Sequence, residues 1–171
     1  MPATDHQRPL LAVLLNPPSA SSGNRSRGAV RRAAETLGYP GYVIVNLFAE
    51  PTATVIDLND IDTSEASWNA TQVQLEAHIA EAGGILAAWG IAGASAQLRR
   101  EQRRRSDWIL GAARELGHTN AWTVGGQPRH PSRWHQYVAD KYGRAVGPTF
   151  QVRLSQVLES VPLDRLLAEK T

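Results

Sequence analysis

The sequence predicts an α/β fold, a three-layer α/β/α sandwich around a central, mostly parallel four-stranded sheet. Three observations carry this reading. Four short apolar runs, Leu10–Leu15, Tyr42–Leu47, Ile85–Trp89 and Asn120–Val124, alternate with longer segments of helical spacing. Most of the runs are near-continuous rather than alternating, as in strands buried on both faces of a parallel sheet. Pro, Gly or Asn bounds most of them, and these residues break regular structure. Strands that alternate with helices through right-handed crossovers carry helices on both faces of the sheet.

Residues 1–9 (MPATDHQRP) read as a disordered lead-in, and 10–171 as a single domain. Leu10–Leu15 is the first strand, and 16–24 (NPPSASSGN) is a loop. Asn24 or Ser26 can cap a helix running to about Leu37, with Val30, Ala33, Ala34 and Leu37 on its inward face. Gly38-Tyr39-Pro40-Gly41 stops it before the second strand, Tyr42–Leu47. Residues 49–68 form an irregular, acidic connection. A helix over 69–82 follows, with Val73, Leu75, Ile79 and Ala80 apolar, and Gly83-Gly84 ends it. The third strand, Ile85–Trp89, leads through a Gly90–Gly93 turn into an Arg-rich helix reaching about Leu116. Asn120–Val124 is the fourth strand and 125–133 a loop. Helices over Trp134–Tyr142 and Phe150–Leu158 close the chain.

Composition removes several classes of function. Cysteine is absent, so disulfides, thiolate nucleophiles, Cys-type zinc sites and Cys-ligated iron–sulfur clusters are excluded. No apolar run has membrane-spanning length, and the start lacks a basic stretch followed by a long apolar core. The sequence therefore predicts a cytoplasmic protein with no membrane partner. Net charge is +2, but residues 43–82 hold seven acids and no Lys or Arg, whereas 95–135 hold eight Arg against three acids. Arginine binds phosphate through a planar fork. The run LRREQRRRSDW (98–108) is either such a basic surface or a solvated helix face.

Ligands of open α/β sheets bind outside the carboxyl ends of the strands. Asn16, Asn46, Gly90 and the 125–133 loop all fall there. Asn16, with the Ser/Gly loop that includes Ser19 and Ser21, offers backbone N–H groups to an anion and an amide to a water or carbonyl; the other reading is a rigid strand-to-helix turn. The Asn46 amide presents donor and acceptor side by side, which suits a base edge or the capping of a turn. His130, flanked by Arg129-Pro128 and Pro131, has the most constrained setting of the five histidines. No metal-ligand histidine spacing sits on one element, since His130 and His135, five apart, straddle a loop–helix junction, so a metal reading is poor; no Gly-x-Ser-x-Gly elbow occurs, so a serine-hydrolase reading fails. Phe48, Trp89 and Trp134 either stack on a ligand or pack in the core.

LLNPPSA, VRRAAETLGYPGYVIVNLFAEPTAT, AAWG and GQPRHP together resemble the bacterial and phage domain-of-unknown-function family 1643 over about residues 10–135. That family in turn resembles a distant branch of the uracil-DNA glycosylase superfamily, which implies a uracil-DNA glycosylase-like sheet. The resemblance implies Asn16 as the water-positioning residue, Asn46 as the base reader and His130 as stabiliser of the departing base; Phe48 and Trp89, by their place at the strand ends, are the candidates to stack on the base. It also implies that the His130-Pro131-Ser132 turn approaches the DNA backbone, with Arg133-Trp134 at the place of a wedge; Ser19, Ser21 and Arg129 are further candidates to face phosphate or DNA. No cofactor is implied. The acids that follow the family's first motif are replaced here by SSGNRSR (21–27). The activity expected is hydrolysis or remodelling of an N-glycosidic bond in DNA or a nucleotide. The alternative is a non-catalytic protein that binds a nucleotide or modified base in the same pocket.

Overall fold

Every residue of the first strand, β1 (Leu10–Leu14), is buried, and its side chains divide between two apolar clusters. Leu11 and Val13 join the cluster built by helices α2 (Glu65–Glu81), α3 (Ala96–Glu115) and α6 (Leu163–Ala168). Leu10, Ala12 and Leu14 join the one built by α1 (Gly23–Leu37), α4 (His135–Val138) and α5 (Phe150–Val157). Successive strand residues point to opposite faces, so both faces of β1 are covered, as the continuous apolar run requires. In the computed structural model, residues 5–17, 23–49, 63–90 and 95–168 are described. Among the described residues no helix is long and apolar enough to cross a membrane.

The sheet has five strands in the order β2-β1-β3-β4-β5. β2 (Tyr42–Asn46), β3 (Gly84–Ala87) and β4 (Asn120–Val124) extend it from β1 through parallel pairings. β5 (Leu158–Pro162) runs antiparallel to β4, from Asn120↔Pro162 to Val124↔Leu158. The expected four-stranded parallel sheet is therefore corrected to five strands, one of them antiparallel. The sequence LESVP hides this strand because only Leu158 and Val161 are buried, and its proline is tolerated at the outer edge of the sheet.

Three further boundaries differ from expectation. Helix α2 starts at Glu65 rather than 69, because the Ser64 hydroxyl accepts the Ser67 N–H and Trp68 is buried at 2% exposure. The stretch 134–142 is mostly not α-helix. It holds the four residues of α4 between 3₁₀ turns at Pro131–Arg133 and Asp140–Tyr142. Residues 5–9, expected to be disordered, form a turn docked on the start of β3: Asp5 N–H donates to the Gly83 carbonyl, Gly83 N–H to Pro9, and the Arg8 guanidinium to Ala80.

That docking requires glycine at 83. A Cβ there would lie 2.1 Å from the Asp5 carbonyl oxygen and 2.6 Å from that of Arg8, both backbone atoms that cannot rotate away. Gly83→Ala is expected to lower stability by about 1–3 kcal/mol through overpacking and to abolish hydrogen-exchange protection of the Asp5 amide. Urea denaturation and amide exchange check both effects.

Candidate functional site

β1 leads through α1 to β2 on one side, whereas β3 leads through α3 to β4 on the other, and α1 and α3 belong to different clusters. A reversal of this kind opens a crevice beyond the carboxyl ends of the two strands. Asn16 lies two residues beyond β1 and Gly90 three beyond β3, so both border that crevice.

Asn46 is the last residue of β2 and pairs with Leu14. Its neighbours Val45 and Leu47 belong to the cluster of α2 and α3, so strand alternation turns the Asn46 amide to the α1 side. Its Oδ1 is buried and accepts no hydrogen bond. Such an orphan costs about 1–3 kcal/mol, and an unexplained one calls for a partner that arrives later. Asn16 is half-buried, and its Nδ2 donates to the Pro17 carbonyl at 3.2 Å.

His130 reaches the same region from β4. Gly90, at φ +71°, donates its N–H to the Pro128 carbonyl, and a Cβ on it would stand 3.0 Å from that of His130. Glycine is thus needed at 90 both for the left-handed backbone and for the close approach of the histidine. His130 Nδ1 accepts the Ser132 N–H at 3.2 Å and lies 2.9 Å from the Ser132 hydroxyl. With Nδ1 an acceptor, the neutral ring carries its proton on Nε2. That nitrogen bonds to no described residue. Burial, and secondarily the Arg133 guanidinium, push the imidazole below its ordinary pKa. His130 is therefore a neutral hydrogen-bond donor near neutral pH.

Helix α3 ties these strand ends together. Its stripe of Leu98, Gln102, Arg105 and Ile109 is buried. Gln102 Nε2 donates to the Gly90 carbonyl, and Arg105, fully buried, donates from Nη1 to the Leu47 carbonyl at 2.8 Å. Its Nε bonds to Glu101 at 2.8 Å, and its guanidinium lies 4.4 Å above Phe48 and 4.9 Å from Trp68. Burial pushes the Glu101 carboxyl up, but hydrogen bonds from Arg104 and Arg105 outweigh this and hold it below its usual value. Neither Gln102 nor Arg105 stands out from the charge run; only their position on the apolar stripe through Leu98 and Ile109 marks them.

The remaining candidates divide. Ser132 and Arg133 are exposed beside His130, and Arg129 is half-buried. Phe48 and Trp89 are 0% and 3% exposed in the cluster on the α2 and α3 side. As placed, they pack in the core and offer no open ring face, because Arg105 covers Phe48. Trp134 is 1% exposed, and its indole N–H donates to the Arg129 carbonyl at 2.8 Å, so it anchors the loop from inside and presents no wedge. Ser19 and Ser21 lie outside the described residues.

Strand-end amides, a neutral histidine donor and a helix that bonds two of the strand ends mark the candidate site at the reversal of an α/β sheet. Residues 2–132 match the family described as protein of unknown function DUF1643, and the chain belongs to it. The matched span takes in Asn16, Asn46, Gly90 and His130. No curated protein and no solved structure matches the chain.

Two outcomes follow. His130 binds a proton less readily folded than unfolded, where its pKa is 6.5, so its contribution to stability is present above 6.5 and is lost as pH falls through the folded value. Its Cε1 proton is expected to titrate below 6.5 by NMR, and Arg133→Ala to move the midpoint up only part of the way, because burial is the larger cause. Arg105→Ala leaves the Leu47 carbonyl without its donor and Glu101 with Arg104 alone, and is expected to cost about 3 kcal/mol in urea denaturation.

Proposed function

We propose that the chain binds a nucleobase across the ends of β1, β2 and β3 and hydrolyses or remodels its N-glycosidic bond. The observation that carries this reading is the buried, unpartnered Oδ1 of Asn46 at the end of β2, and the Nε2 donor of His130, beside Gly90 beyond β3, is its proposed counterpart. β2 and β3 flank β1, so the ends of these two strands stand about two strand spacings, roughly 10 Å, apart. That gap suits a planar heterocycle bonded at both edges. The split of helices between two clusters supports a three-layer arrangement, and with the strand-end amides and the His130-Pro131-Ser132 turn it supports kinship with the uracil-DNA glycosylase superfamily.

In the proposed reaction Asn46 holds the base edge and the C1′–N bond breaks, its electron pair passing to the base. His130 Nε2–H donates to the base oxygen that gains negative charge, which a neutral donor does without having to lose its own proton first. Asn16 orients the water that adds to the sugar, whose proton leaves to solvent. A base in duplex DNA must first be flipped out. Residues 16–27 contain no Asp or Glu, so no carboxylate of that segment deprotonates the water. The same observation favours the second reading, recognition of a nucleotide or modified base without turnover.

Base release from oligonucleotides carrying uracil, mismatched thymine or modified bases, and from free nucleosides and nucleotides, tests the proposal. His130→Ala is expected to lower the rate about 10²–10³-fold with affinity within a few-fold. Release from no substrate, with affinity lost in His130→Ala and Asn46→Ala, would replace the hydrolase by the binding protein.

A further inference from the structure

Among the described residues the guanidinium of Arg129 has no hydrogen-bond or ion-pair partner, and its Nε is buried. It lies 4.1 Å from the centroid of the Tyr137 ring, and a second arginine, Arg144, lies 4.5 Å from the same centroid. Arg144 donates from Nη1 to the Gln136 carbonyl at 3.0 Å. No ion pair among the described residues includes either arginine. The stack rests on the end of β4: a Cβ on Gly125, whose φ is +67°, would meet the Tyr137 ring at 2.8 Å and Arg129 Nε at 3.6 Å. The carboxylate nearest the loop, Glu159, sits by Gly126 and pairs with neither arginine.

Two cations held against one ring repel each other; among the described residues the Arg129 fork meets no acceptor, and the Arg144 fork meets only the Gln136 carbonyl. Stacking fixes a guanidinium plane without using its in-plane N–H donors. Such a fork matches an oxyanion bidentately, and a phosphate supplies enough oxygens for two forks. We infer that Arg129, Tyr137 and Arg144 form a phosphate subsite beside His130. The proposed nucleobase site identifies the bearer as a nucleotide, either a free monophosphate or a diester of a polynucleotide strand. Tyr137 and Arg144 lie beyond residues 2–132, the span matched by the family.

Inorganic phosphate, which has no base, tests the subsite apart from the proposed hydrolysis. Phosphate titrated at pH 7 and constant ionic strength is expected to shift the Nε–Hε resonances of Arg129 and Arg144 saturably, with chloride inert. Arg144→Ala, an exposed change that leaves the melting temperature in place, is expected to weaken phosphate at least 10-fold, and Arg144→Lys to restore only part because it keeps the charge and loses the fork. A nucleoside 5′-monophosphate and an oligonucleotide without terminal phosphate then separate the two bearers, since Arg144→Ala weakens only the one that occupies the subsite. No saturable shift, an equal shift with chloride, or undiminished phosphate binding in Arg144→Ala would overturn the inference.

Discussion

The hydrogen bonds that helix α3 makes to two carbonyls set the geometry on which the rest of the site depends. Gln102 and Arg105 stand one turn apart and bond Gly90, just beyond β3, and Leu47, just beyond β2. β1 lies between those strands. One rigid helix therefore fixes the width of the opening across three strand ends, while the sheet ladder fixes only their pairing below it. A buried guanidinium is a costly way to hold a carbonyl. The cost is offset here by Glu101 on the same helix and by Phe48 and Trp68, whose ring faces receive the cation. An apolar residue at 105 would pack as well against the rings but would leave the Leu47 carbonyl free to turn, and Asn46 with it.

β1 and β3 were legible because burial on both faces demands uninterrupted apolar residues, whereas β2 and β4, only partly buried, showed as shorter apolar runs bounded by glycine or asparagine. β5 was not, because a half-buried edge strand that follows a helix without a loop leaves only Leu158 and Val161 as its signal. The same logic separates the site residues. Asn16, Asn46 and His130 are visible as polar groups where an apolar run stops or where prolines stiffen the chain. Gln102 and Arg105 look like members of a solvated run, since charge masks the stripe that buries them. For Phe48, Trp89 and Trp134 the sequence offers core packing and ligand stacking alike, because an aromatic ring at a strand end suits both. Which face of the sheet it joins decides between them, and that depends on chain direction after the last paired residue.

Asn46 and His130 complement each other electrostatically. Asn46 contributes a buried acceptor without a donor, while His130 contributes a donor whose ring is kept neutral by burial and by Arg133. Were the ring charged, it would still donate, but it would attract any anion and would shed its preference for a neutral carbonyl. In the proposed site a neutral ring would make recognition depend on hydrogen-bond pattern, a donor edge meeting Asn46 and an acceptor edge meeting His130.

Charge enters the neighbourhood separately, through arginines that have no acid. Arg129 precedes His130 in the chain, and Trp134 fixes its carbonyl, so any force on the Arg129 fork is transmitted to the backbone that carries the imidazole. An oxyanion that draws the two forks together would relieve their mutual repulsion and steady that backbone against the glycine at position 90. Such a ligand would order the donor before the base reaches it. In the proposed site the labour would be divided: the guanidinium forks would take the anion, and the Asn46 and His130 pair would read the ring attached to it.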